Sequence, residues 1–252
     1  MLRTVSPTPS APACSLASAA ARAPARDFAG DPASGPTIAD ACAPACAPGG
    51  AIDPALVLRD PVQALAALRQ RWHTAGAPTQ CWVFGYASLI WRPEFDAVER
   101  RPACVHGWHR ALRMRSRVNR GTPELPGLVF ALLPGGTCKG VVYRLRAERF
   151  DAELERLWAR EMPTGVYDAR LLPCRTPEGS VLALAFTLSR RSEACLPRLA
   201  DAELLHVLRH ARGRYGSTLD YLAQTAHALR AQGVHDREID RQLALAQKHG
   251  LL

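Results

Sequence analysis

The feature that most constrains the fold is a series of strand-like segments between residues 81 and 188, interrupted by a single helical stretch and followed by helices. The strand-like segments are rich in apolar residues, and turn-forming residues separate them. They begin at Cys81 and continue over residues 104–117, 127–145, 166–175 and 181–188. We interpret segment 127–145 as a hairpin around Pro134, Gly135 and Gly136. The pattern predicts one α+β domain, built as a small closed or curled β-barrel with an inserted helix and C-terminal helices.

Helical spacing of apolar residues marks five segments: residues 60–72, 147–162, 201–212, 217–233 and 235–250. The first has Asp60 as a plausible N-cap and Pro61 at the first helical position. Pro163 ends the inserted helix, since proline cannot continue one. Gly233 and Gly250 stand where glycines commonly follow the last turn of a helix.

The first 53 residues differ from the rest of the chain. Residues 1–53 are rich in Ala, Pro, Ser and Gly, and such a segment buries too little apolar surface to offset its ordering entropy. We therefore predict a disordered segment 1–53, either a tail or an upstream start, and a folded domain over residues 54–252. Cys42 and Cys46 in the first segment have too few neighbouring ligands for a metal site.

The composition excludes some classes of protein. No apolar run is long enough to cross a bilayer, and no apolar region follows the first arginine as in a secretory signal, so we expect no membrane partner and a cytoplasmic location. The formal net charge of +9 could attract nucleic acid. However, Lys139 and Lys248 are the only lysines, and abundant Arg with scarce Lys is typical of a codon bias. Interleaved stacking aromatics are also missing, so we expect no nucleic-acid partner.

Glu161 occupies an unusual position on the inserted helix. Phe150, Leu154, Leu157 and Trp158 form its apolar face, and Glu161 is the next position on that face, whereas other glutamates of the helix, Glu153 among them, can point to solvent. Burial and the C-terminal end of the helix dipole would both raise the pKa of Glu161 and make it a better base. An ion pair with Arg160 or with the arginines of residues 113–120 is the alternative role.

The loop after the first strand has the character of an anion-binding turn. The sequence CWVFGYASLIW passes from an apolar strand into Gly85, Tyr86, Ala87 and Ser88. Consecutive backbone N–H groups at such a turn can bind a carboxylate or a phosphate, and Ser88 adds a hydroxyl donor. An ordinary turn would show the same residues.

Together these features resemble the ChaC-like, glutathione-specific γ-glutamylcyclotransferases. The resemblance rests on four ordered segments, GYASLIW, RGTPELPG, KGVVYRL and the helix ending in Arg160 and Glu161, and it extends from about Trp82 to the C-terminus. It implies that Glu161 is the catalytic base. It also implies that the loop binds the γ-glutamyl group through Gly85, Tyr86, Ala87, Ser88, Leu89 and Ile90.

The implied activity is that of a lyase. Glutathione would be cleaved by cyclisation of its γ-glutamyl unit to 5-oxoproline, with release of Cys-Gly and without a metal or a cofactor. A cyclotransferase for other γ-glutamyl amino acids or amines, or a non-catalytic binding module on the same fold, are alternatives. The family has glycine where this chain has Ala87. A methyl group there would cost about 1 kcal/mol or more if the position needs φ > 0, or would crowd the pocket.

Several other side chains are weaker candidates. His206 and His210 have the i, i+4 spacing of metal ligands, but the HExxH pattern is incomplete and a solvated face is favoured. Arg113 and Arg115 would share one side of a strand, where they could contact an acidic substrate or face solvent. Tyr143 and Tyr221 could offer hydroxyl groups to a substrate.

Overall fold

The structure is a computed structural model, and it describes residues 61–74, 81–163 and 165–252. Its helices are α1 (Pro61–Thr74), α2 (Ser88–Trp91), α3 (Phe150–Glu161), α4 (Asp201–His210), α5 (Thr218–Arg230) and α6 (Arg237–Lys248). Its strands are β1 (Trp82–Gly85), β2 (Ala97–Ser116), β3 (Gly127–Leu145), β4 (Asp168–Thr176), β5 (Gly179–Thr187), β6 (Arg212–Gly213) and β7 (Gly216–Ser217). The predicted segment 1–53, its cysteines and the boundary at residue 54 lie outside the described residues.

Five strands form a closed barrel in the order β1-β3-β2-β4-β5. Neighbouring strands are antiparallel except where β5 returns to β1, and this parallel pairing of Trp82 with Ala183 and of Val83 with Leu184 closes the barrel. Closure leaves no unpaired edge in the sheet. The predicted α+β barrel with an inserted helix is therefore confirmed.

The hairpin predicted around Pro134 is wrong. β3 is one strand of 19 residues, and it pairs with the 20-residue β2 along almost its whole length, with Pro134 opposite Trp108. The register of the pairing breaks between His106 and Trp108, at Gly107, whose φ is 80°. Opposite this break on β3, Gly135 and Gly136 also have positive φ angles. Both strands bend at the same level, so the glycines curve a continuous ribbon instead of reversing the chain.

The core has two main parts. Leu204 and Leu208 of α4, Leu222 of α5 and Ile239 and Leu243 of α6 join the apolar cluster that includes the barrel residues. On another side, α1 and α3 pack together and onto β1 and β5, with Trp72 meeting Phe150 edge to face at 4.8 Å between ring centroids. The positive φ angles of Gly233 and Gly250 agree with their predicted places after helices.

Glu153 on α3 corrects one expectation. It is 1% exposed instead of pointing to solvent, and its carboxylate accepts a hydrogen bond from Arg156 at 3.3 Å. Arg69 of α1 pairs with two other acidic residues of α3, so the packing of α1 along α3 removes part of this helix from water. Within the described residues, the helices all fall short of the length and apolar character that crossing a bilayer requires.

Candidate active site

The loop that follows β1 is shaped by close packing around Gly85. A Cβ atom at this position would lie 3.1 Å from Cβ of Leu89 and 3.2 Å from Cε2 of Tyr143, which is tighter than ordinary van der Waals contact. The chain then passes through Tyr86 and Ala87 and turns at once into the short helix α2. Glycine at this position therefore lets the loop return close to its own strand without displacing Leu89 or Tyr143.

Ala87 adopts φ of −146° and ψ of −114°. Because this φ is negative, the methyl group carries no left-handed strain, and the predicted penalty for a positive φ does not apply. The residue is 5% exposed.

The backbone N–H groups of the loop are available to a ligand. Within the described part of the chain, the amides of Ala87, Ser88 and Leu89 have no hydrogen-bond acceptor. The side chains of Leu89 and Ile90 are buried in the two core clusters, and the Ile90 carbonyl accepts a hydrogen bond from Tyr143 at 3.3 Å. Leu89 therefore offers only its backbone amide to a substrate, and the Ile90 amide already donates to the Ala87 carbonyl at 2.9 Å. Ser88 is half-buried and offers its hydroxyl as well as its amide.

Arg110 of β2 holds the loop from behind. Its Nη1 donates to the Tyr86 carbonyl at 2.6 Å and to the Lys139 carbonyl at 3.0 Å, and its Nη2 pairs with Asp236 at 2.8 Å. In a trans peptide the C=O and N–H groups point in opposite directions. With the Tyr86 carbonyl bound to Arg110, the Ala87 amide must point away from this guanidinium. Arg110 thus fixes the orientation of the first amide of the loop.

Glu161 is the last residue of α3, and its side chain is 15% exposed. Its Oε1 lies 3.1 Å from Nε of Arg160, the ion pair considered from the sequence. Arg160 also pairs with Glu94 at 3.0 Å and lies with its Nη2 3.4 Å from Oγ of Ser88. The structure therefore brings together the two predicted parts of the site, the loop and Glu161, through one shared guanidinium.

Three tyrosines surround the Glu161 carboxylate closely enough to interact with it electrostatically: Tyr86, Tyr167 and Tyr221. The Tyr86 hydroxyl donates to the Phe186 carbonyl at 3.0 Å, and Tyr167 is close enough to Tyr86 to interact with it electrostatically. Burial is the largest cause that raises the pKa of each phenol, and the negative charge of Glu161 adds to it. The phenols remain protonated at neutral pH and can act as hydrogen-bond donors.

The pKa of Glu161 is itself raised above its ordinary value. Burial is the largest cause, and the nearby charge of Glu94 acts in the same direction, whereas Arg160 lowers the pKa. A carboxylate with a raised pKa accepts a proton more readily near neutral pH. The arrangement can therefore take a proton from a bound molecule while phenols and backbone amides hold its polar groups.

The other sequence candidates lie elsewhere. Arg113 sits at a break in register and donates to the Leu196 carbonyl at 2.7 Å, and Arg115 lines an open groove beside α4. The His206 and His210 rings lie 4.9 Å apart, and no third metal-ligating side chain joins them among the described residues. The sequence reasoning missed Arg110 and Tyr167, since neither stands in a motif of its own.

Comparisons with known proteins show which proteins this chain is similar to. The family model described as "ChaC-like protein" matches residues 81–249. A glutathione-specific γ-glutamylcyclotransferase of Escherichia coli (strain K12) is 33% identical over 168 residues, which cover 66% of this chain and 73% of that protein. Glutathione-specific γ-glutamylcyclotransferase 1 of Mus musculus is 31% identical over 163 residues, covering 63% and 73%. The crystal structure of a γ-glutamylcyclotransferase specific to glutathione from yeast matches with a TM-score of 0.61 at 23% identity, covering 67% of this chain and 96% of that one.

Proposed function

The chain belongs to the ChaC-like family, and we propose that Glu161 and the loop Gly85 to Ile90 form the site at which it acts on glutathione. Its activity is that of a glutathione-specific γ-glutamylcyclotransferase, a lyase that cleaves glutathione by cyclisation of the γ-glutamyl unit. The observation that carries the assignment of the site is the shared contact of Arg160 with Glu161 and Ser88. This contact supports the proposal because it links a carboxylate of raised pKa to the loop whose amides have no acceptor among the described residues.

The proposed reaction needs little beyond positioning and proton transfer. The α-amine of the glutamyl unit attacks its own γ-carbonyl, and closure of a five-membered ring is favoured when the two groups are held close together. Glu161 accepts a proton from the α-ammonium group so that the amine can attack. The C–N bond to cysteine then breaks as Glu161 returns this proton to the departing amine of Cys-Gly, and the attacking nitrogen loses its second proton to solvent. The other product is 5-oxoproline.

The loop and the tyrosines hold the substrate during these steps. The amides of Ala87, Ser88 and Leu89 would bind the glutamyl carboxylate, because consecutive N–H groups make an anion site. Glu161 cannot share that role, since its negative charge would repel a carboxylate and attract the ammonium group. The protonated phenols of Tyr167 and Tyr221 are neutral donors within electrostatic reach of Glu161, whereas the Tyr86 hydroxyl already donates to the Phe186 carbonyl.

The experiment is an assay of purified protein with glutathione, in which 5-oxoproline and Cys-Gly are quantified together. We expect the two products in equal amounts, and a parallel assay with γ-Glu-Ala to give a much lower rate. Absence of turnover with every γ-glutamyl compound would leave a binding module, and preference for γ-Glu-Ala would leave a cyclotransferase of different specificity. For location, we propose the cytoplasm, a compartment in which glutathione maintains reduced thiols.

A further inference from the structure

Arg120 is a second buried arginine, and its charge has no direct partner. The residue is 6% exposed, yet it forms no salt bridge with any described residue. Burial lowers the pKa of its guanidinium, and the only carboxylate that acts on it noticeably is Asp220. The Oδ2 atom of Asp220 already accepts hydrogen bonds from the amide and the hydroxyl of Ser217. Burying a cation without a paired anion costs free energy. The burial of Arg120 therefore needs a reason other than the stability of the fold.

The guanidinium has unused donors. Nη1 of Arg120 donates to the carbonyls of Tyr215 and Ser217. Nε and Nη2 donate to no acceptor in the described part of the chain. Neither atom is completely shielded from solvent. These two nitrogens therefore face a space that solvent can enter. Together they form one edge of the guanidinium, the edge that binds a carboxylate with two parallel hydrogen bonds.

Close backbone contacts and a hydrogen bond hold the main chain around Arg120 in place. The Arg120 amide donates to Oγ of Ser116 at 3.0 Å. A Cβ atom on Gly121 would lie 2.0 Å from the Gly127 nitrogen, and one on Gly127 would lie 2.1 Å from the Arg120 carbonyl oxygen. The glycines of the segment RGTPELPG thus allow the two ends of the loop between β2 and β3 to touch, which fixes Arg120 in place.

Tyr221 connects Arg120 to the proposed active site. The Arg120 guanidinium lies 5.1 Å from the centroid of the Tyr221 ring. The same ring lies 6.2 Å from that of Trp91, the last residue of α2, and its hydroxyl is within electrostatic reach of Glu161. Arg120 is therefore near the C-terminal end of α2, whereas the free loop amides are at its N-terminal end.

We propose that Arg120 binds the glycine carboxylate of glutathione. This inference rests on the proposed function and deepens it. Glutathione carries two carboxylates, which an extended backbone of three residues separates by roughly 10 Å. If the loop amides hold the glutamyl carboxylate, the second carboxylate needs its own cation at a distance from them. Arg92 and Arg214 stack on the exposed Tyr215 ring at 5.2 and 5.3 Å, so the approach to Arg120 is also positive.

The test compares glutathione with its glycine ethyl ester, in which a neutral ester replaces the charged carboxylate. We expect the wild-type kcat/KM for glutathione to exceed that for the ester about 10- to 100-fold, as for a hydrogen-bonded ion pair. Arg120→Gln should lower kcat/KM for glutathione to the level of the ester and leave the ester rate nearly unchanged. Arg198→Gln is the matched control, because it removes a 65% exposed arginine that pairs with Glu238.

Two results would overturn the assignment. If wild-type protein turns over the ester as fast as glutathione, no cation recognises the glycine carboxylate. This comparison uses only wild-type protein, so it remains valid even if Arg120→Gln does not fold. If Arg120→Gln lowers both rates equally, Arg120 supports the glutamyl end or the fold instead. Failure of wild-type protein to turn over either compound would instead overturn the proposed function. A melting temperature near that of wild type shows that the variant is folded.

Discussion

The two ends of α3 each bury a glutamate, and the two carboxylates meet different surroundings. Glu153, in the first turn, is 1% exposed and lies 3.3 Å from Arg156, an arginine whose own side chain is 62% exposed. Glu161, at the last position, has a side chain that is 15% exposed. Its partner Arg160 is 20% exposed and also contacts Glu94 and Ser88. Glu153 is therefore the more deeply buried of the two glutamates, but Glu161 is the one that Arg160 links to the loop.

The comparison shows that burial alone does not distinguish the carboxylate proposed as the catalytic base. Near the start of a helix the dipole favours a negative charge, and near its end it disfavours one. Burial, and then the nearby charge of Glu94, raise the pKa of Glu161, and Arg160, its salt-bridge partner among the described residues, is shared with Glu94. Glu161 is thus linked to the loop through Arg160, whereas Glu153 is part of the packing of α3.

The largest expected effect comes from the pair of variants Glu161→Gln and Glu153→Gln. Removing a general base typically lowers kcat by about 100- to 10,000-fold, so we expect a loss of that size for Glu161→Gln. Glu153→Gln should keep kcat close to the wild-type value and change only the free energy of unfolding. Equal losses of kcat in the two variants would mean that the ends of α3 do not differ in role. Steady-state kinetics with glutathione and thermal melts measure both.

The pH dependence of kcat/KM tests the surroundings of Glu161. A base must be deprotonated to act, so activity falls as the pH drops through its pKa, and a raised pKa places this fall at a higher pH than for an ordinary glutamate. Arg160 lowers the pKa of Glu161, so Arg160→Met should move the fall to still higher pH. Arg160→Lys keeps the charge and should move it less. A shift toward lower pH in Arg160→Met would contradict this account.

A smaller effect is expected from the residue behind the loop. Asp236 pairs with Arg110 and also caps α6, where its Oδ1 accepts from the amides of Glu238 and Ile239. Asp236→Ser keeps a capping hydroxyl but cannot reach Arg110, so the loop amide loses its anchor. We expect KM for glutathione to rise about 10-fold with kcat changed less, as for loss of a hydrogen bond to a charged group.

The matched control for this variant is Asp240→Ser. It removes a carboxylate from the same helix that pairs with Arg230 on the surface, and exposed pairs contribute little. We expect its KM to equal that of the wild type. A rise in KM for Asp240→Ser as large as that for Asp236→Ser would show that the effect comes from α6 and not from the contact with Arg110.

The smallest effect is expected for Ala87→Gly. Since φ at this position is −146°, glycine relieves no strain there. We expect kcat/KM for glutathione to change by less than about threefold, which corresponds to less than 1 kcal/mol. A tenfold gain would show that the methyl group crowds the substrate, the second possibility considered from the sequence.

The sequence predicted the fold class and the family because periodicity and ordered motifs are local signals. The order of strands, the inserted helix and the C-terminal helices are confirmed. The hairpin at Pro134 was wrong because a Pro-Gly-Gly turn signature cannot show that β2 bends at the matching Gly107. Glu153 was placed in solvent because the helical pattern does not show how α1 packs along α3.

The candidate site could be predicted only in part, because local sequence patterns do not show which distant residues come into contact. Glu161 and the loop could be proposed from the sequence because one interrupts an apolar face and the other follows an apolar strand. Arg110 holds groups 24 and 126 residues away, at Tyr86 and Asp236, and alternation along a strand contains no information on such distant partners. Arg120 begins the segment RGTPELPG, but only the structure shows that it is buried and forms no salt bridge with any described residue.

The central claim is that Glu161 acts on glutathione that the loop has already bound. It is tested most directly by isothermal titration of the Glu161→Gln variant with glutathione, followed by analysis of the mixture for 5-oxoproline. The account predicts saturable binding of one intact glutathione per chain with no 5-oxoproline formed. Formation of 5-oxoproline at the wild-type rate, or complete loss of binding by a folded variant, would contradict the role of Glu161 as the catalytic base.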